Sequence, residues 1–120
     1  MNQQPDASSE GYGRVLRESR ANHQRGLEAV GGHLTLTADA LVFMPHTLNV
    51  QTEVAHFPLT AVSEVRKAWT RVFGVLPLVP NSMAVRFTDG SEQSFVVPRR
   101  EEWIADLQRA ARASRGWQAW

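Results

Sequence analysis

The chain has no cysteine among its 120 residues. That absence excludes a disulfide framework, a thiolate nucleophile and any zinc site built on cysteine. Net charge is nearly absent as well: 13 Lys and Arg against 12 Asp and Glu leave +1 with histidine neutral. A balance that close gives no bulk reason to expect nucleic acid as a partner. No apolar run approaches the roughly 18 residues of a membrane-spanning helix. The opening segment MNQQPDASSEGYG lacks a basic stretch followed by an apolar one, so no secretion signal is read there. A cytoplasmic protein is the expectation. No internal repeat is visible.

What is present fits one ordinary domain. The apolar fraction is 42% and the charged fraction 21%, which are values of a soluble globular protein. The length suits a single core. The Gln-, Ser- and Gly-rich residues 1–13 are expected to form a mobile arm. The domain is expected over 14–115, with a short tail over 116–120.

From Arg14 onward the hydrophobic period is mostly two. Residues 15–24 make a weak first strand. GHLTLT (32–37) is a clean one, with Leu34 and Leu36 on one face. Thr37, Ala38 and Asp39 turn the chain into ALVFMP (40–45), where Leu41 and Phe43 share a face. A polar loop follows over 46–53. Next come VAHFPL (54–59) and AVSEVRKAW (61–69). MAVRFT (83–88) and QSFVV (93–97) flank Asp89-Gly90, a strong hairpin signal. Their inward sets are Met83, Val85 and Phe87, then Phe95 and Val97. About seven short antiparallel strands result.

The period then changes. REEWIADLQRAARASRG puts Trp103, Ile104, Leu107, Ala110, Ala111 and Ser114 on one helical stripe. Glu101 and Glu102 open this helix, Arg112 and Arg115 close it, and Gly116 suits the C′ position. The start has no capping residue. The stripe has to bury itself, and the open end of a bent sheet is the economical place.

GHLTLTADALVFMPH, then HFPLTAVSEVRK, then VPNSMAVRFTDGSEQSFVVPRREEWIADL, resembles a GRAM domain over about residues 14–113. The earlier ANHQRGLEAVGG is similar to the prokaryotic branch of that family. The resemblance implies a pleckstrin-homology-like (PH-like) fold: a strongly bent seven-stranded antiparallel sheet or barrel capped by a C-terminal helix. It also implies a non-catalytic module that binds phosphoinositides, other lipids or proteins at membranes, peripheral to the inner face.

The candidate chemistry is sparse. His23, His33, His46 and His56 fit no H-x3-H or H-E-x-x-H spacing, so no metal site is expected. No G-x-S-x-G elbow accompanies the Ser, His and Asp residues, and Glu101 and Glu102 point apart on their helix. No catalytic residue and no cofactor is therefore assigned. Gly31-Gly32 precedes a strand, which speaks against a phosphate loop; a bulge or tight strand entry is expected there.

Basic residues are the better lead. Arg14, Arg17, Arg20 and Arg25 lie along or after the first strand, and Arg66, Lys67 and Arg71 end the fifth. The resemblance points to Arg20, His23 and Arg25 as headgroup contacts, with Arg66, Lys67 and Arg71 as further candidates. Alternating arginines are equally what a solvated strand face presents.

The stretch RVFGVLPLVPNSM (71–83) is as apolar as a buried strand yet carries Gly74, Pro77 and Pro80. It is read as the loop between strands five and six. Folding back over a barrel rim to complete the core is the favoured destination, because large exposed apolar patches are uncommon. The alternative is insertion of Phe73, Leu76 and Leu78 into a bilayer interface or a partner, with Trp117 of the tail in the same role. Partners are therefore a membrane lipid or a protein, the latter including a second copy of the chain. The oligomeric state is left open.

Overall fold

The computed structural model describes residues 13–25, 28–47, 53–72 and 76–116, with backbone alone for 69–72 and 76–81. The expected N-terminal arm up to residue 12, Phe73, and Trp117 with the rest of the tail to Trp120 lie outside the described residues. The side chains of Arg71, Leu76 and Leu78 do too.

Among the described residues, seven strands and one helix follow in the order β1 (Val15–Arg25), β2 (Glu28–Thr37), β3 (Ala40–Pro45), β4 (Ala55–Pro58), β5 (Val62–Val72), β6 (Leu76–Phe87), β7 (Glu92–Val96) and α1 (Arg100–Ser114). A 3-10 turn, Leu59–Ala61, joins β4 to β5. All pairings are antiparallel, in the order β4-β3-β2-β1-β7-β6-β5. The sheet is open: β4 and β5 are its edges. They are consecutive in the chain, so the 3-10 turn carries the backbone from one edge to the other. Leu59 N donates to Asp39 O at 2.9 Å, and Thr88 N donates to Ala61 O at 2.8 Å.

The turns follow from their residues. The Thr37 hydroxyl accepts from Asp39 N (3.1 Å) and Ala40 N (3.0 Å), which folds β2 into β3. Asp89 Oδ1 accepts from Ser91 N at 2.8 Å, and Gly90 takes φ +90°. Only a residue without Cβ adopts that angle cheaply, so the Asp-Gly pair sets this hairpin.

The core is what the alternation predicts. Leu34, Leu36, Leu41, Phe43, Leu59, Met83, Val85, Phe87, Phe95 and Val97 are buried in one cluster. Helix α1 covers it with Trp103, Leu107, Ala110 and Ala111 buried and Ile104 packed against the cluster. Burial of Trp103 and Leu107 contributes about 1.5–3 kcal/mol each. A polar strap holds the helix on. Trp103 Nε1 donates to Ser19 Oγ at 3.0 Å. Arg17, on the same face of β1, donates to Asp106 (2.6 Å) and Glu102 (3.0 Å) and lies 5.9 Å from the Trp103 ring centroid. The helix has no side-chain cap; Arg99 stands there with φ 52°, and its carbonyl accepts from Glu102 N and Trp103 N, each at 3.0 Å. Gly116 closes it with φ 64°, as its C′ placement predicts.

Two sequence expectations are corrected. Gly31-Gly32 is no bulge or strand entry: β2 starts earlier, and both glycines lie in regular register with Asn22 and Ala21. The reason is close approach. A Cβ on Gly32 would stand 2.3 Å from the Met44 carbonyl oxygen and 2.7 Å from the Phe43 ring. The stretch around Pro77 and Pro80 is no irregular loop: β5 and β6 run on as a hairpin, with Thr70, Arg71 and Val72 opposite Val79, Pro77 and Leu76. Proline is tolerated because β7 pairs β6 only over Ser82–Arg86, so the outer part of β6 has a neighbour on one side alone. Register shifts at Ala68/Thr70 and Thr70/Arg71 absorb the lost regularity.

Candidate functional site

β1 alternates, and that alternation splits the predicted headgroup residues. Ala21 and His23 point into the core, whereas Arg20 and Asn22 point outward.

His23 is 4% exposed and sits in an aromatic cage. Its ring stacks on Phe95 (4.7 Å) and meets Phe43 (5.2 Å) and Phe57 (6.4 Å) edge-on. Nε2 lies 2.6 Å from Gln93 Oε1, and Arg25 Nε donates to Nδ1 at 3.0 Å. A guanidinium has only protons to give, so Nδ1 is the acceptor and Nε2–H donates to Gln93. Burial lowers the His23 pKa, and the Arg25 charge lowers it further, against the bond to Gln93 that raises it. His23 is therefore a neutral relay between β1 and β7. Arg25 extends the relay: its Nη2 donates to the Glu53 carbonyl (3.1 Å), and its Cζ lies 5.9 Å from the Phe43 centroid.

The remaining candidates are dispersed. Arg66 is ion-paired with Glu92 of β7. Lys67 Nζ lies 3.6 Å from Glu101 at the start of α1. Arg20 sits on β1, and β7 and β6 separate that strand from β5, where Arg66, Lys67 and Arg71 lie. Of the headgroup candidates Arg20, His23, Arg25, Arg66 and Lys67, Arg20 alone has neither an ion pair nor a side-chain hydrogen bond among the described residues; Arg14 shares that state at the start of β1.

Arg20 lines a groove of about 290 Å³ together with Asn22, Gly32, His46, Val96 and Pro98. The groove exists because the β1–β7 ladder is short. It pairs Asn22, His23 and Gln24 with Val96, Phe95 and Ser94, and upstream of Asn22 the strands part. Gly31 brings Asn22 and His46 together from the other side: a Cβ there would stand 3.3 Å from Asn22 Oδ1 and from the His46 ring. The sequence marked His46 only as a histidine without metal spacing, and Asn22 not at all. The glycine pair was the available signal, since glycine inside a strand marks a close approach. Among the described residues there is no group of three or more side chains suited to a metal ion.

A second groove, about 250 Å³, runs between β5 and the end of α1, lined by Val62–Val65, Gln108, Ala111, Arg112 and Arg115. β5 is an edge strand, and two of its carbonyls accept side-chain bonds from α1. Gln108 Nε2 donates to Val65 O (3.0 Å). Arg100 Nη1 bridges Ala68 O (3.1 Å) and Ser82 O (3.4 Å), where the register slips.

Solved structures give the same architecture. The chain superposes on the C-terminal domain of an unknown protein from Leishmania infantum with TM-score 0.66 and 13% identity, covering 81% of this chain and 83% of that one. It superposes on the N-terminal PH domain of human ARAP2 with TM-score 0.61 and 16% identity, covering 97% and 90%. It superposes on the Slm1-PH domain, solved in complex with phosphoserine, with TM-score 0.60 and 10% identity, covering 81% and 95%. The fold is PH-like. No family model matches the sequence, and no curated protein matches it. At these identities the likeness speaks for fold alone. Among the described residues of this PH-like chain, no helix is long and apolar enough to cross a membrane.

Proposed function

We propose that residues 14–115 form a non-catalytic binding module of the GRAM kind that docks on an anionic lipid surface, peripheral to the cytoplasmic face of a membrane. The observation that carries this reading is the state of Arg20. It is exposed, it has no acidic partner among the described residues, and it stands at a groove lined by no carboxylate. A cation left without an internal partner is available to an external anion. The Slm1-PH neighbour, solved with phosphoserine, gives a precedent for anionic ligands on this fold.

Sedimentation with vesicles tests it. Binding should require anionic lipid and weaken as salt rises through the range where the Debye length falls below about 10 Å. Equal sedimentation with neutral vesicles, or none with either, contradicts it.

A protein-binding reading draws on the β5–α1 groove, where an edge strand lies beside a helix. The bond from Gln108 to Val65 O weighs against it, since an incoming strand would have to displace that amide.

A further inference from the structure

Alternation along β2 and β3 sends Leu34, Leu36, Leu41 and Phe43 into the core and Thr35, Thr37, Ala40 and Val42 to the outer face of the sheet. An outer face should meet water. Yet Thr35 and Thr37 are buried, Ala40 is 0% exposed and Val42 is 4% exposed. Neither Ala40 nor Val42 belongs to the core cluster. Helix α1 packs on the inner face, and all the strands lie in this one sheet, so among the described elements none remains to cover the patch. The cover also has a sharp border. Met44, next after Val42 on the same face, is 43% exposed, and the His33 side chain paired with it is half exposed.

The chain preceding β1 enters at this patch. Ala38 N donates to Arg14 O at 3.1 Å. A Cβ on Gly13 would stand 2.8 Å from Asp39 Oδ2 and 3.5 Å from the Ala38 Cβ. Ala38 and Asp39 are the turn between Thr37 and Ala40, so Gly13 stands at the edge of the covered residues. Its φ of +95° shows that the chain does not arrive along the line of β1. The segment 48–52, by contrast, follows β3 past Met44, on the open side of the border. Twelve extended residues reach about 40 Å, and the three strand spacings from β1 to β4 span roughly 15 Å. Residues 1–12 hold Met1, Pro5, Ala7 and Tyr12 as apolar groups. They hold Asp6 and Glu10 but no lysine or arginine. That charge complements Arg14, which has no ion pair among the described residues.

We propose that residues 1–12 dock on the outer face of β2 and β3 as an intramolecular cover seated on Thr35, Thr37, Ala40 and Val42. The outer face is then an occupied surface up to Val42 and a free one from Met44 onward. This inference does not depend on the lipid reading above.

The chain has no cysteine, so a nitroxide on S8C marks one position only. In the dilute full chain with isotope-labelled methyl groups, the signals of Thr35, Ala40 and Val42 should be lost to paramagnetic broadening. They should return when the nitroxide is reduced. Signals of Ala105 and Ala113, exposed on α1, should keep their intensity. Weak broadening spread evenly over the exposed methyls, those of α1 included, overturns the cover by residues 1–12. An equal mixture of nitroxide-bearing and isotope-labelled chains tests for a second copy. Losses at Ala40 and Val42 in that mixture show a segment reaching over from another chain and overturn the intramolecular placement.

A water-soluble gadolinium chelate tests the cover with no substitution at all. It should relax the Met44 methyl and spare those of Ala40 and Val42. Equal relaxation of all three overturns the cover itself. Sparing of Ala40 and Val42 without any loss from S8C assigns the cover to another segment and overturns the proposal as well.

Discussion

Arg25 Nε donates to His23 Nδ1 at 3.0 Å inside a cage of Phe43, Phe57 and Phe95. The bond exists only while the imidazole is neutral. Protonation would set two cations against each other and remove the acceptor that Arg25 uses, while Nε2–H goes on donating to Gln93. Among the described residues no acidic side chain contacts the ring to offset this; Phe43, Phe57, Phe95, Gln93 and Arg25 surround it.

Stability should therefore depend on pH through His23. Its folded pKa is lowered by burial, so the unfolded chain binds the proton first. Stability is full above the unfolded value of about 6.5 and erodes as pH falls below it. The slope should not exceed about 1.4 kcal/mol per pH unit, one proton's worth. Urea unfolding between pH 7.5 and pH 5, both on the order of a unit either side of that value, would show it. H23F should flatten the dependence in that window. A wild type as flat as H23F contradicts the neutral relay.

A second, more acidic phase belongs to the helix strap. The bond from Arg17 holds the Asp106 pKa below its ordinary value, with a further hydrogen bond from Arg109. That contribution is present above about pH 3.9 and is lost as pH falls below it. R17M should shrink this phase to the part that Arg109 still supplies and cost about 1–2 kcal/mol at neutral pH, discounted because the pair is partly exposed. A cycle of R17M with D106N, read by denaturant unfolding, checks the coupling; additivity of the two variants would show there is none.

The paired glycines should respond unequally. G32A drives a Cβ against the Met44 carbonyl and should destabilise by about 1–3 kcal/mol or more. G31A meets only the Asn22 and His46 side chains at 3.3 Å, which can yield, and should cost under about 1 kcal/mol. Thermal melts of the two variants decide; equal losses contradict the close approach.

Much of this fold was legible because it is written in period two. Leu34, Leu36, Met83, Val85 and Phe87 alternate cleanly, and Asp89-Gly90 forces its turn, so strand faces and the last hairpin could be read directly. The Trp103 to Ala111 stripe was as clear. What could not be read was anything set by distant partners. His23 looks like any surface histidine until Phe95, some seventy residues on, stacks against it. Arg66 looks like a ligand-binding cation until β7 supplies Glu92. The prolines of 77 and 80 mimic a loop because pairing on one side alone is a property of the sheet and not of the segment.

Edge protection gives a prediction of its own. Gln108 covers Val65 O on the free edge of β5. Q108A should leave the fold intact, cost about 0.5–1.5 kcal/mol, and raise concentration-dependent association. Sedimentation velocity over a concentration series shows it, and a variant as monodisperse as the wild type shows that the amide guards nothing.

Docking on an anionic surface is tested most directly by comparing R20Q with R66Q on anionic vesicles. The two lose the same charge, but Arg66 is held by Glu92 and Arg20 has no such partner among the described residues. R20Q should weaken vesicle binding about fivefold, the ~1 kcal/mol of one cation at such a surface, with R66Q clearly less affected. Equal losses for both, or a larger loss for R66Q, would contradict docking through β1.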